Sequence, residues 1–324
     1  MYLAPLNYDR YFKKVFSDIE IAKQFLEDFL SVEIQEIVPM PVKHKVTDAS
    51  RYVEFDFRCK IDNSYIIIDM QQWYKPDVVY RFYTYHSVNT ALQLENLPEK
   101  RILLPDKEIK ITKDYSSVIP VVTIIWMVND NLGFTDDYIA YTLLPEKAKT
   151  FFENTRIWKN EEIIEHIKEI NNIINNENKG LTFFSKNRLI FAFQPNIVKN
   201  KKFASYSRWF EIAQKTLNEL NKKSDFDIYE KDRIMIKLMR RILLSDLQDN
   251  DIEYIKNYQE VQADIERYNI GLRNEGKIEG KIEGKEERSN EIALKMIKDG
   301  EPNERIFNYT GLSENIIDEL RKLV

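Results

Sequence analysis

Apolar residues recur at mostly helical spacing through residues 8–30, where Phe12, Val15, Phe16, Ile19, Ala22, Leu26, Phe29 and Leu30 mark one face of an amphipathic helix. Residues 32–41 read as a strand that ends at proline. Residues 51–61 then alternate, with Val53, Phe55, Phe57 and Cys59 on one face and Glu54, Asp56, Arg58 and Lys60 on the other, which is the period of a half-buried strand. Asp62-Asn63-Ser64 has turn chemistry, and residues 65–73 (YIIIDMQQW) form a second strand. Its early part is apolar at both parities, as a strand covered on both faces should be. A helix is expected over 78–95, a charged irregular insertion with a short β-ribbon over 96–117, and a buried strand over 118–128 (VIPVVTIIWMV). The expected fold is therefore α/β: a helix–three strands–helix–strand core, a weaker α/β stretch over 138–199, and a mostly helical C-terminal region.

Helices are expected over about 204–247 and 251–273. The segment NEGKIEGKIEGKEER follows, with Gly276, Gly280 and Gly284 four residues apart. Each glycine costs a helix interior roughly 1 kcal/mol relative to alanine, so both a charged linker and a helix that lets another helix approach are open readings. In the tail, Gly300 suits a helix C-cap, Pro302 an early helical position and Ser313 an N-cap. The domain boundaries read from this pattern are 1–200, 201–273, 274–288 and 289–324.

Composition narrows the chemistry. With a net charge of −5, a wholesale basic coat for nucleic acid is absent, so any DNA contact must use a local basic patch. The lone Cys59 and the scattered His44, His86 and His166 exclude a disulfide framework within the chain and argue against a thiolate or histidine-rich metal site. The opening MYLAPLNYDRYFKKVF lacks the apolar core of a signal peptide, and no run of about 18 apolar residues occurs. A soluble cytoplasmic protein without membrane contact is expected, and the abundance of Lys, Ile, Asn, Glu and Tyr suits an AT-rich bacterial genome.

The acids on the two strands are the strongest chemical signal. With a two-residue loop at Asp62-Asn63, Asp56 lies opposite Asp69 and Glu54 opposite Gln71. With the loop at Asn63-Ser64, Asp56 faces Gln71 and Arg58 faces Asp69. Both registers put Asp56, Asp69 and Gln71 on one face, whereas a three-residue loop breaks that parity. Adjacent carboxylates on a sheet repel, and Asp is depleted in apolar strands such as Ile66-Ile67-Ile68-Asp69. A divalent cation held by oxygen ligands is the natural occupant. Mg2+ suits two carboxylates, the Met70 carbonyl and open positions for water and phosphate. Glu54 is an auxiliary candidate.

The stretches NYDRYFKKVF, VEFDFRCK, YIIIDMQQW, the helix with Arg81, Tyr85 and Gln93, and VIPVVTIIWMV resemble the Rpn-type recombination-promoting nucleases, a PD-(D/E)XK nuclease family of transposases. The GKIEGK repeats and the GLSENIIDEL tail are similar in style. The likeness covers residues 1–130 and, more loosely, 270–324. It implies a restriction-endonuclease-like core, Mg2+ or another divalent cation such as Mn2+, and DNA as substrate. By position it implies Asp56 as the first metal-binding acid, Asp69 as the second, Gln71 at the usual lysine position, Asp9 as the acid of the first helix and Lys13 as the base after it. Two positions depart: the second acid is usually Glu, and Gln71 lacks the lysine charge. These departures frame the competing expectation, a catalytically weak or inactive nuclease-like protein that binds DNA or partners.

Arg81 and Tyr85 share a helix face and are candidates to grip phosphate, with a surface cation and a half-buried tyrosine as the plain alternative. Asp9 and Lys13 could equally be a dipole-favouring acid and a solvated lysine. Trp73 and Tyr74 suit packing better than base stacking, and His86 and Cys59 read as packing residues. The tail resembles a small helix-turn-helix, but its last helix carries Glu314, Asp318 and Glu319, which suits a homo-oligomer contact or regulation better than reading bases.

Overall fold

The computed structural model describes residues 1–45, 52–73, 75–145, 148, 160–174 and 180–322. Tyr74, Arg51 and parts of the 138–199 stretch lie outside the described residues. The chain divides into two compact units, Met1–Leu247 and Gln248–Val324.

In the first unit, α1 (Asp9–Phe16) and α2 (Ile19–Leu30) replace the single helix expected over 8–30. The break has a local cause. The Asp18 carboxylate accepts the N–H groups of Glu20 and Ile21 and so caps a new helix, a role that needs non-helical backbone at Asp18. The strands follow as β1 (Ile37–Pro39), β2 (Lys43–Lys45), β3 (Tyr52–Glu54), β4 (Phe57–Ile61) and β5 (Ser64–Gln71). After α3 (Val78–Ala91) come the ribbon β6 (Glu99–Leu103) and β7 (Ile109–Lys113), the short ribbon expected in the charged insertion. Then come β8 (Val121–Met127), β9 (Tyr138–Thr142), α4 (Asn160–Ile174), α5 (Thr182–Lys186), β10 (Arg188–Phe193), α6 (Gln194–Asn200), α7 (Ser207–Thr216) and α8 (Arg233–Arg241).

Six strands form a mixed sheet in the order β1-β4-β5-β8-β10-β9. β1 pairs antiparallel with β4 and β4 with β5, β8 and β10 continue parallel to β5, and β9 turns back. β5 and β8 are central, and helices cover both faces, which explains their double-sided apolar sequence. On one face Trp126 meets Phe12, Phe16 and Phe25 of α1 and α2. On the other, Val78 and Phe82 of α3 pack with Ile125, Met127 and Phe191.

The strand expected over 51–61 is interrupted at Phe55-Asp56. β3 leaves the main sheet and pairs with β2, so Glu54 stands opposite Lys43 and not opposite Gln71. The reason lies in the acids themselves. The Met70 N–H donates to Asp56 Oδ2 at 2.8 Å, and the Asp56 N–H donates to Asp69 Oδ1 at 3.3 Å. Side-chain oxygens thus take donors that a continued β4 would have paired through its backbone.

The boundary at residue 200 also shifts. Trp209 and Phe210 of α7 are fully buried against Phe25 and Trp126, with the Phe210 and Trp126 ring centres 4.0 Å apart. Arg208 and the Trp209 indole N–H both donate to the buried Asp28 carboxylate of α2. Leu3 bridges Leu243, and the Leu3 N–H donates to the Asn221 side chain. Residues 201–247 therefore complete the first core. A fragment ending at residue 200 is expected to lose cooperative thermal unfolding, while a fragment ending at 247 keeps it. Stripping Trp209 and Phe210 alone removes more than about 5 kcal/mol, comparable with a whole domain's stability. Circular dichroism melts decide, and a cooperative transition in the shorter fragment contradicts this assignment.

In the second unit, α9 (Asp249–Lys298) runs 50 residues as one helix, so the glycine-repeat segment is helical backbone. Among the described residues, and apart from its own helix backbone, no heavy atom lies within 4 Å of a Cβ built on Gly284, so close packing against them does not require a glycine there. At its end Gly300 takes the left-handed conformation after the helix. α10 (Asn303–Thr310) and α11 (Glu314–Arg321) fold back, and Ala293, Ile297, Ile306, Leu312 and Ile317 form a small core. Ser313 sits at the N-cap position of α11 without a side-chain cap bond.

Candidate functional site

The β4–β5 hairpin has the two-residue loop Asp62-Asn63, with Ile61 opposite Ser64 and Phe57 opposite Ile68. Of the registers open in the sequence, this one continues to Asp56 beside Asp69. Both acids sit at the carboxyl end of β5, where β4 begins, between α1 and α3. Asp69 and Gln71 point to the α3 face of the sheet, alongside Ile125 and Met127 of β8. Gln71 O accepts the Val128 N–H on the β8 side. The N–H and C=O of one strand residue point to the same edge and those of the next residue to the other, so the Met70 N–H and C=O both face the β4 edge, where the N–H meets Asp56. The Met70 carbonyl therefore points to the edge of β5 on which Asp56 lies.

α1 brings a cation to them. Lys13 Nζ lies 3.1 Å from Asp9, 3.1 Å from Glu54 and 3.5 Å from Asp56. Burial lowers the pKa of this ammonium, but Asp56, Glu54 and Asp9 outweigh that and raise it. From α3, Arg81 donates to Gln71 Oε1, and Gln71 Nε2 donates to the Trp73 carbonyl. The Arg81 guanidinium lies 4.4 Å from the Phe82 ring centre and 5.9 Å from that of Tyr85. Tyr85 is wedged edge-on between Phe55 and Phe82. The structure thus gathers Asp9, Lys13, Glu54, Asp56, Asp69, Met70, Gln71, Arg81 and Tyr85 in one place, from α1, the β3–β4 bend, β5 and α3.

Other residues of the sequence pattern fall elsewhere. Gln93 clamps the backbone of Ile119 through both its amide groups. Cys59 is buried, and burial pushes its thiol up to about 12. His86 bonds Thr123 over the sheet, its pKa lowered by burial.

The electrostatics of the cluster are unbalanced. Four carboxyls, Asp9, Glu54, Asp56 and Asp69, face three cations, Lys13, Arg81 and, at the Glu54 edge, Lys43. Burial pushes Asp56 up to about 7, and nearby Asp9 adds to this against the Met70 N–H and Lys13. Asp69 is 5% exposed, and burial first, then the Asp56 charge, hold it well above the usual carboxylate range. Among the described residues, three buried polar atoms here, Asp69 Oδ2, Trp73 Nε1 and Arg81 Nε, have no hydrogen-bond partner. Buried orphans are uncommon in folded proteins and call for an explanation.

A divalent cation fits this donor set. Asp69 Oδ2 has no hydrogen-bond partner among the described residues, Asp56 is adjacent, and positive charge would offset the surplus of acid. Among the described residues no group of three or more His, Cys, Asp or Glu is arranged to hold a metal ion, so the protein itself offers at most two carboxylates. That is compatible with Mg2+, which keeps several waters and takes one or two carboxylates.

No protein-family model, curated protein or solved structure matches the chain. Among the described residues no helix is long and apolar enough to cross a membrane.

Proposed function

We propose that the chain is a metal-dependent DNA endonuclease with a restriction-endonuclease-like core, linked to recombination or mobile elements. The observation that carries this reading is the buried, unpartnered Asp69 Oδ2 beside Asp56, in a cluster with more acid than base. Asp56, Asp69 and the Met70 carbonyl would hold Mg2+ or Mn2+. When bound, such an ion lowers the pKa of a water and stabilises charge on phosphate oxygens. The protein's own groups do the rest. Lys13, tethered by Asp9 and Glu54, presents an ammonium at the position of the acids. It supplies from α1 the charge that glutamine at position 71 lacks. Arg81 orients Gln71 and brings a second cation to the phosphate side, with Tyr85 shielding the pair.

A specific observation supports a second reading, a weak or inactive nuclease-like binding protein. Both ends of the Gln71 amide are engaged, by Arg81 and by the Trp73 carbonyl, which leaves one N–H and one lone pair for water and fixes the amide away from a free lysine-like role.

Supercoiled plasmid incubated with the purified protein and Mg2+ separates the two. Nicking or linearisation is expected, slowed by about a hundredfold or more in both Asp56→Ala and Asp69→Ala, as befits loss of several kcal/mol of charge stabilisation. Cutting that persists in both variants would falsify the nuclease reading, and metal-independent DNA binding without cutting selects the second.

A further inference from the structure

The chain as a whole is acidic, yet one surface of the first unit is strongly basic. α8 has the sequence RIMIKLMRR, with Met235 and Leu238 buried against the core. Arg233, Lys237 and Arg240 recur on its outer side. With Lys231 they line a groove of about 480 Å³ that also contains Ile236 and Glu20.

The acids nearby do not neutralise it. Glu20 accepts from Lys237 at 2.9 Å and from Arg233 at 3.4 Å, and Asp18 accepts from Lys237 at 2.7 Å and from Arg241 at 3.2 Å. Asp232, the one acid within 231–241, caps α8 and is bound by Arg208. Lys231 and Arg240 are exposed, and among the described residues neither has a carboxylate partner. A solvated helix face usually interleaves both signs, and this one does not.

The groove is joined to the candidate site through α1. Arg241 donates to the Lys14 carbonyl at 2.7 Å and to the Ser17 hydroxyl at 3.0 Å. Lys14 directly follows Lys13, whose ammonium lies among the acids. One helix therefore carries Asp9 and Lys13 on one side and seats α8 on another.

We propose that the groove lined by Lys231, Arg233, Lys237 and Arg240 binds the phosphate backbone of duplex DNA and holds it beside the Asp56–Asp69 cluster. This rests on the nuclease reading for the choice of DNA. The geometry suits the ligand. From Arg233 to Arg240 the helix advances about 10 Å, close to the rise of three nucleotides of one strand at about 3.4 Å each. Arginine forks match phosphate oxygens, and one apolar lining residue, Ile236, offers little to a lipid or to an apolar protein surface. The contact reads charge and not sequence. It is the local basic patch that an acidic chain needs in order to approach DNA.

The test is fluorescence anisotropy of a labelled duplex of about 30 base pairs with the full chain, in EDTA, at salt between about 50 and 200 mM. Lys231→Gln/Arg240→Gln is expected to bind about tenfold more weakly at about 0.1 M salt, with the slope of log affinity on log salt reduced by about 2. Lys231→Arg/Arg240→Lys should bind as the wild type does. Matching far-UV spectra and melts establish that both variants are folded. Unchanged affinity and slope in the glutamine variant, or a loss confined to anionic phosphatidylserine vesicles, overturns the proposal. The two readings fail separately. A wild type that cuts plasmid, with a glutamine variant that binds and cuts equally, removes the groove and keeps the nuclease. A wild type that never cuts, but binds DNA through these residues, removes the nuclease and keeps the groove.

Discussion

Replacing Asp69 by asparagine is expected to make the metal-free protein more stable at about pH 8 while abolishing its response to Mg2+ and its DNA cutting. The substitution keeps the shape of the side chain. Its carbonyl can still accept the Asp56 N–H in place of Asp69 Oδ1, and its amide falls where Oδ2 has no partner. What disappears is the need to ionise a carboxyl that is buried beside another acid. Burial raises both carboxyls, Asp56 to about 7 with Asp9 adding to it, and the Asp56 charge raises Asp69 further. An unfolded chain releases these protons near pH 3.9. Between about pH 4 and the raised folded values, the folded chain holds protons that the unfolded chain has lost. Stability therefore falls as pH rises through that window and stays low above it. Removing Asp69 relieves its own share of this at about pH 8, in proportion to its displacement, each unit of which corresponds to about 1.4 kcal/mol.

Thermal melts at about pH 4 and about pH 8, with and without Mg2+, check the prediction. The variant should melt about 5 °C or more above the wild type at the higher pH without metal, and the two should converge at the lower. Mg2+ should raise the wild-type midpoint by binding the folded state alone, more strongly at higher pH because the ion displaces protons, and should leave the variant unmoved. A variant less stable than the wild type at about pH 8 would show that the Asp69 charge is already compensated within the protein, and the argument for a missing cation would collapse.

Much of the site was legible in the sequence because strands have a period of two. Asp56, Asp69 and Gln71 share a face by parity, and the turn residues Asp62-Asn63 select the register that puts the acids together. The double-sided apolar pattern of Ile66-Ile67-Ile68 likewise marked β5 as central. What the pattern concealed were places where side chains replace backbone partners. Alternation continues unbroken through Phe55 and Asp56, yet the chain bends there because Asp56 Oδ2 takes the Met70 N–H. The apolar stripe of residues 8–30 runs through Asp18, whose carboxylate splits it by capping α2. Long-range partners were also out of reach. Nothing local shows that Arg208 and Trp209 answer Asp28, or that α8 lies against α1. The basic spacing of Arg233, Lys237, Arg240 and Arg241 was visible, but a charged helix face becomes informative only when its neighbours prove not to neutralise it.

Lys13→Met is expected to reduce plasmid cutting by about a hundredfold and, at the same time, to enlarge the stabilisation that Mg2+ confers. Lys13 is the cation that the metal-free protein places among Asp9, Glu54 and Asp56. Methionine keeps the length and apolar stem of the side chain and removes the charge. Without it the three acids face one another. Since the lysine side chain is 32% exposed, solvent screening limits the loss to about 1–2 kcal/mol at about pH 8. The Lys13 hydrogen bond also holds Glu54 below the usual range. A lowered acid stabilises the fold above its unfolded pKa, so the Glu54 part of the variant's deficit should disappear only below about 4.5, whereas the part owed to Asp56 should shrink already as pH falls through about 7. Mg2+ should recover more stability in the variant than in the wild type, because Asp56 no longer shares its charge with an ammonium. Lys13→Arg should restore the metal-free stability. If Lys13→Met cuts plasmid as fast as the wild type while showing the pH-dependent loss of stability, Lys13 is a counter-ion to the acids and takes no part at the phosphate. Loss of cutting together with a larger Mg2+ response assigns it both roles.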